Sequence, residues 1–291
     1  MAILELFIGS VLWAFSFVAT SWCLESFSPA WIVGLRFLIS FVISIFIFHI
    51  LPRKTIRAAS LRLAIIPSLL LSTLMLLTAW GQKYTSATNT SFITCLYILF
   101  VPLFERFVLK RKAAKAYWFF IFLALVGAAL ICKIQELNFN GGDLIVLIGS
   151  AFAGAQIFWF GLIAPKIESG FEFNTSQSFI SMLVPLSIAL SLDRFPSQVT
   201  RHALWGILIM GIGSTLIGFA LQVRGQKKIS ATTASIIYQV ESPIAAIFAY
   251  FLLNERMTPL QIVGASLIFT AALGASFFAS HKSHQIEIRQ N

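Results

Sequence analysis

Two charged side chains stand inside long apolar runs of this sequence. Glu241 lies within SIIYQVESPIAAIFAYFLL, residues 235–253, and Arg36 within SPAWIVGLRFLIS, residues 28–40. An ionisable group at such depth costs about 2.5–3.5 kcal/mol on insertion scales, so it marks a functional site facing the interior of a helical bundle. Glu241 is about ten residues into its run, about 15 Å along a helix axis, which is close to a bilayer midplane. There a carboxylate can bind a proton or a substrate ammonium in one state and release it in another. It can equally pair with Arg36, or cap backbone groups freed by Pro243, and only hold helices together. The residue types alone leave both roles open.

Polar groups recur at helical spacing around these two. Thr233, Ile237 and Glu241 follow at i, i+4 and i+8, as do Asn89, Ile93 and Tyr97, so each series falls on one helix face. With Tyr238 they read as facing walls of a central cavity. Gln156, deep in a sixth apolar run, and the ring of Trp13 join them as candidates, and Trp80 and Trp159 are weaker ones. Interhelical hydrogen bonding and interfacial anchoring are the plainer roles for such residues.

The elements that would position these side chains follow from composition. Of 291 residues 58% are hydrophobic and 11% charged, with a mean hydropathy of +0.87. A soluble domain has about 45–50% apolar and about 25% charged residues. The chain reads as an all-α integral membrane protein in a lipid bilayer, with ten transmembrane helices near 2–22, 29–51, 62–82, 87–108, 116–135, 143–163, 175–192, 203–223, 231–253 and 259–279. Runs this long and apolar do not suit barrel strands, and open strands would leave backbone groups unsatisfied in lipid.

The net charge of +10 sits in short connections, where it reads as a topology signal rather than a nucleic-acid surface. With the N-terminus in the cytoplasm, fifteen of the 21 Lys and Arg residues face inside and five outside, with Arg36 in a span. Both termini are therefore expected in the cytoplasm, with residues 281–291 as a short tail. The run after Ala2 is too long for a signal-peptide core and is expected to be a retained span. Three scattered cysteines imply neither disulfides nor a metal cluster, and no cofactor is expected. The sequence lacks H-E-x-x-H and G-x-S-x-G, and its four histidines do not cluster, so an enzyme is not expected.

An internal repeat organises the spans. GQKYTSATNTSFI from Gly81 and GQKKISATTASII from Gly225 agree at eight of thirteen positions at an offset of 144 residues, and IGSVLWAF from Ile8 is echoed by IGSAFAGA from Ile148. Two copies of a five-helix unit, residues 1–137 and 138–280, would enter the membrane in opposite senses. Such two inverted five-helix repeats serve alternating access. Four prolines in spans, Pro67, Pro102, Pro185 and Pro243, are expected to kink their helices.

The tryptophan of IGSVLWAF, the proline and arginine of SPAWIVGLRFL, SATNTSFITCLYILFVPLF, and the stretch from SATTASIIYQVESPIAAIF to NERMTPLQIVGASLIFTAALG together resemble the EamA family of the drug/metabolite transporter superfamily. Glu241, Pro243, Glu255, Pro259 and Gly264 occupy the family's characteristic places, while Ser242 separates an acid and a proline that many members have adjacent. The resemblance implies a secondary transporter of a bacterial cytoplasmic membrane that moves small-molecule substrates, often exporting amino acids or related metabolites. An exchanger or a channel-like protein is the alternative. Proton coupling and a homodimer are compatible with it.

Overall fold

The computed structural model describes residues 1–50, 56–110, 115–131, 140–229, 231–271 and 274, without the side chains of residues 49, 115–118, 121, 232, 233 and 236. The described residues outside the turns are helical. In chain order they form α1 (Ala2–Leu24), α2 (Pro29–Ile50), α3 (Ala58–Gln82), α4 (Ala87–Thr94), α5 (Tyr97–Leu109), α6 (Lys115–Ile131), α7 (Gly141–Ile163) and α8 (Gly170–Leu192). Then α9 (Arg201–Ile209) runs through a π-helix, Met210–Gly218, into α10 (Phe219–Gln226). Last come α11 (Ala231–Ile237), a 3-10 turn (Tyr238–Val240), α12 (Glu241–Leu253) and α13 (Pro259–Ala271).

The result is an all-α multi-pass bundle. Seven helical segments are long and apolar enough to cross a membrane: α1, α2 to Phe48, α3, α4 with α5, α7 to Lys166, α8, and α9 through α10. Among the described residues the remaining apolar helices are shorter, Phe122–Ile131, Tyr238–Leu253 and Pro259–Ala271, so ten full spans are not all present as continuous helices. The expected ends of the fifth and tenth spans, at 135 and 279, lie outside the described residues, as do Cys132 and the tail 281–291.

Several helices begin earlier than hydropathy alone predicted, because polar caps extend them. Ser169 accepts from the amide of Glu172, a Ser-x-x-Glu start that moves α8 back from 175 to Gly170. Thr200 caps α9 in the same way through Ala203 N at 3.1 Å. An unusual cap joins distant parts of the chain. The Glu255 carboxylate accepts from Ala87 N at 2.9 Å, Thr88 N at 3.0 Å and Thr88 Oγ1 at 2.6 Å, closing the N-terminus of α4 from across the bundle.

Apolar side chains cover the outside, and the apolar interior also encloses many small polar residues. Phe107 is 74% exposed, while Ser40, Ser150, Thr175 and Ser181 are fully buried. α3 packs along α7, α2 along α8, and α1 along the α9-to-α10 segment. At Gly154 a Cβ would stand 2.6 Å from that of Phe100, so the missing side chain lets α7 approach α5 closely. Gly127 and Gly264 allow the same between α6 and α13.

The two ends of the bundle are closed differently. Near Met1, Arg57 pairs with Glu168 at 2.5 Å and Glu172 at 3.0 Å, Arg224 pairs with Glu5 at 2.8 Å, and Lys227 donates to Glu168 O at 3.1 Å. Hydrogen bonds that it donates to Glu172 and Glu168 hold the Arg57 guanidinium more firmly protonated than usual. At the opposite end carboxylates accept from hydroxyls instead, Asp193 from Ser28 at 2.5 Å and Glu25 from Thr200 at 3.0 Å.

Candidate functional site

Two helices break at the same depth, and the breaks create the site. The α4–α5 helix opens at Cys95 and Leu96, and the α11–α12 helix tightens into a 3-10 turn at Tyr238–Val240. They meet where Gln239 Nε2 donates to Cys95 O at 2.9 Å, residues 144 apart, and where Ser242 Oγ donates to Ser91 O at 3.3 Å. Tyr97 and Glu241 are the first residues of the half-helices beyond each break. Pro243 sits in the first turn of α12, where its missing amide hydrogen would have no helical partner anyway. The 3-10 turn lies just N-terminal to the proline and includes Gln239, four residues before it, so the irregularity stands where Pro243 is expected to produce one.

A cavity of about 800 Å³, its open mouth included, lies against both breaks. It reaches from there toward the end where α1 closes and α2 begins, past Thr20, Ile32 and Gln82. Of the residues expected in such a pocket, Trp13, Arg36, Tyr97, Gln156, Tyr238 and Glu241 line it. Asn89 does not: its amide oxygen accepts from Gln261 at 3.3 Å, tying α4 to α13 beside the bundle core. Thr233 lies on α11, but its side chain is outside the described residues. Trp80 is 40% exposed and Trp159 packs with Leu63 and Phe160, so neither ring belongs to the cavity.

Six further polar residues line the cavity, Ser16, Thr20, Thr78, Gln82, Thr94 and Gln222. A usable signal existed. Trp13 and Ile157, Met75 and Phe219, Thr78 and Gln222, Thr94 and Tyr238, and Tyr97 and Glu241 all line the cavity, and each pair is separated by the 144-residue offset of the repeat. The offset leads from the candidate Tyr238 to Thr94, whereas Thr78 and Gln222 pair only with each other.

Many of these groups lack partners. Thr94 Oγ1 and Gln156 Nε2 are buried without a hydrogen-bond partner among the described residues, and the Tyr97 and Tyr238 hydroxyls interact only with Cys95 and Gln222. An unmet buried polar group costs about 1–3 kcal/mol. Such groups around one space mark a surface made for something polar. Glu241 is 8% exposed and Arg36 is 3% exposed, and no ion pair joins them. The purely structural role of Glu241 as a partner for Arg36 is thus absent from this conformation. One wall is aromatic: the Trp13 ring lies 5.1 Å from Tyr238 and 5.3 Å from Phe219, centroid to centroid.

Arg36 is held by the π-helix. Its Nε donates to Thr215 Oγ1 at 2.9 Å and its Nη2 to Ser214 Oγ at 2.8 Å, while Trp13 Nε1 donates to Ser214 O at 2.9 Å. The wider π turn leaves a main-chain carbonyl for the indole, and Gly218 gives the indole room, since a Cβ there would be 2.8 Å from Trp13 Nε1. Gly211 and Thr215, four residues apart, divide these tasks. Gly211 meets Ile39 and the backbone of Arg36, and Thr215 binds the guanidinium.

Fold and site define a multi-pass membrane protein with a polar cavity enclosed between broken helices. The chain belongs to the EamA-like transporter family, which matches residues 1–133 and again 140–277. That family is one of transporters rather than enzymes. Among the described residues there is also no group of three or more His, Cys, Asp or Glu that could hold a metal. An uncharacterized transporter of Archaeoglobus fulgidus is 27% identical over 194 residues, 66% of this chain and 61% of that protein, so the match spans under two thirds of that relative's length. An S-adenosylmethionine uptake transporter of Rickettsia bellii is 26% identical over 206 residues, 68% of this chain and 67% of its own. A crystal structure of a protein 14% identical superposes with a TM-score of 0.69, covering 96% of this chain and 98% of that one, a likeness of fold alone.

Proposed function

We propose that this protein is a secondary transporter that moves small organic metabolites, amino acids or close relatives of them, by alternating access around the central cavity. The observation that carries the reading is the lining itself: unpartnered buried polar atoms and two unpaired opposite charges, gathered in one space at the level of two broken helices. Groups left so at midplane depth lower the free energy of a bound polar solute relative to the empty site.

The alternating-access mechanism rests on ten spans arranged as two inverted five-helix units, residues 1–137 and 138–280. Three observations support it: the two separate family matches, the paired cavity residues at a constant offset of 144, and the Gln239-to-Cys95 bond between repeat-related residues. Both termini lie in the cytoplasm of a bacterial inner membrane, following the bias of basic residues. The present conformation then gives access from outside, with the Arg57, Glu168 and Glu172 cluster closing the inner end. Exchange of these closures drives the solute across.

Glu241, Arg36, Tyr97, Tyr238, Gln156 and Trp13 hold the substrate, with Glu241 receiving its ammonium group or a coupling proton. Asn89 and Thr233 support the broken helices. The substrate named for the Rickettsia relative carries an amino-acid head, which suits this assignment, and its named direction is uptake. Our reading for this chain is export. Counterflow in proteoliposomes, with labelled amino acids on one side and unlabelled on the other, tests the function. Saturable counterflow of at least one of them is expected, and its absence for amino acids and all other small metabolites tried would overturn the proposal. Inside-out vesicles driven by a proton gradient test direction.

A further inference from the structure

We infer that Arg36, oriented by the π-helix, is the receptor for a single negative charge on the substrate, and that Ser214 and Thr215 are its positioning residues. The inference rests on the transporter reading above and assigns the substrate's charge pattern within that same cavity.

The argument begins with an imbalance. Arg36 is a buried cation whose partners are two neutral hydroxyls and the Met75 sulfur, 3.4 Å from Nη1. Hydroxyls orient a guanidinium but do not neutralise it. A buried charge without a counter-charge is costly, and removing one member of such a pair costs about 3–5 kcal/mol where it has been measured. Among the described cavity residues Arg36 is the one cation and Glu241 the one anion, and they do not touch. A ligand bearing a negative group beside Arg36 and a positive one beside Glu241 neutralises both without moving either.

Geometry narrows the negative group. Ser214 and Thr215 take Nη2 and Nε, the edge of the guanidinium that faces the π-helix, and Nη1 donates only to the Met75 sulfur, a weak acceptor that a ligand's oxygen outcompetes. A planar carboxylate meets such a donor with one or two short charge-assisted bonds. A phosphate near neutral pH carries close to two charges. With one cation present and Glu241 nearby, it would leave the cavity with net negative charge. The carboxylate of a zwitterion fits and the phosphoester does not.

Ser214 and Thr215 both lie in the π-helix. Their hydroxyls meet one guanidinium, and Ser214 O accepts from Trp13, whose ring in turn flanks Tyr238. One irregular segment of backbone therefore carries the groups that orient Arg36 and the aromatic wall.

The test uses the full-length protein in lipid nanodiscs and reads thermal stabilisation and tracer displacement for each of the twenty L-amino acids and its primary amide. The amide keeps the ammonium and the side chain and removes the negative charge. For every amino acid that binds, the acid should bind at least tenfold more tightly than its amide. In Arg36→Gln that ratio should fall to within about twofold while affinity for the amide is kept. Equal binding of acid and amide by the unaltered protein, or an intact ratio in Arg36→Gln, would overturn the inference. Should Arg36→Gln not fold, Ser214→Ala combined with Thr215→Val retains the charge. The ratio should then drop several-fold, and no drop would sink the positioning role. If no amino acid binds while another solute shows counterflow, the inference fails and the transporter reading survives. If no solute shows counterflow at all, both fail.

Discussion

The broken helix α4–α5 and the broken helix α11–α12 are related by 144 residues, interrupt at the same place, and yet differ in what they offer the cavity. The first presents Thr94 and Tyr97, neutral hydroxyl groups. The second presents Tyr238 and Glu241, of which one is charged. Their supports differ too. α5 leans on α7 through Gly154, where only a hydrogen fits, whereas α12 packs on α1 through Ala14, Ala245 and Ala249. A duplicated backbone scaffold can therefore keep its geometry in both copies while a single side chain gives one of them the chemistry.

That contrast breaks first at its charged end. Glu241→Gln is expected to cut counterflow in proteoliposomes by tenfold or more and to flatten its pH profile, while Tyr97→Phe, in the matching place, costs only a few-fold. Equal losses in the two variants would mean that the copies share the work. Next comes packing: Gly154→Val forces a side chain into Phe100 and should destabilise by about 1–3 kcal/mol, seen as a lower melting temperature in detergent. Ala245→Val, on the other copy, should cost less because it meets alanines, and the reverse order would refute the packing difference.

The link between the two breaks supplies a smaller effect. Gln239→Leu removes the donor to Cys95 O and should cost about 1 kcal/mol of stability by thermal melting, leaving an unmet carbonyl at the centre. Smallest of all is Pro243→Ala. The bond from Gln239 to Cys95 O holds the 3-10 turn independently of the proline, so turnover should stay within about twofold of the unaltered protein, and a large loss would make the proline the hinge.

Much of this arrangement was legible in residue types. Glu241 and Arg36 stand out in any reading, because charge inside an apolar run has to be enclosed, and Tyr97 follows from Glu241 by the repeat. Asn89 was assigned to the cavity on helical spacing with Tyr97, and the spacing was sound as far as it went. The helix is interrupted at Cys95 and Leu96, between Asn89 and Tyr97, and Asn89 meets Gln261 of α13 while Tyr97 lines the cavity, so helical spacing does not carry across the break. Gln222 and Thr78 went unnoticed because nothing local distinguishes a cavity-facing polar residue from one bonded to a neighbouring helix.

Sequence by itself determined that the chain crosses a membrane as helices and which acid and base lie in apolar runs, since hydropathy and the cost of burying charge act on each segment separately. Tertiary structure decided which polar atoms stay unpartnered, that Arg36 and Glu241 remain apart, and that a π turn aims one of them. Those outcomes depend on how helices distant in the chain meet, where fractions of an ångström at a glycine or one extra residue in a turn redirect a side chain.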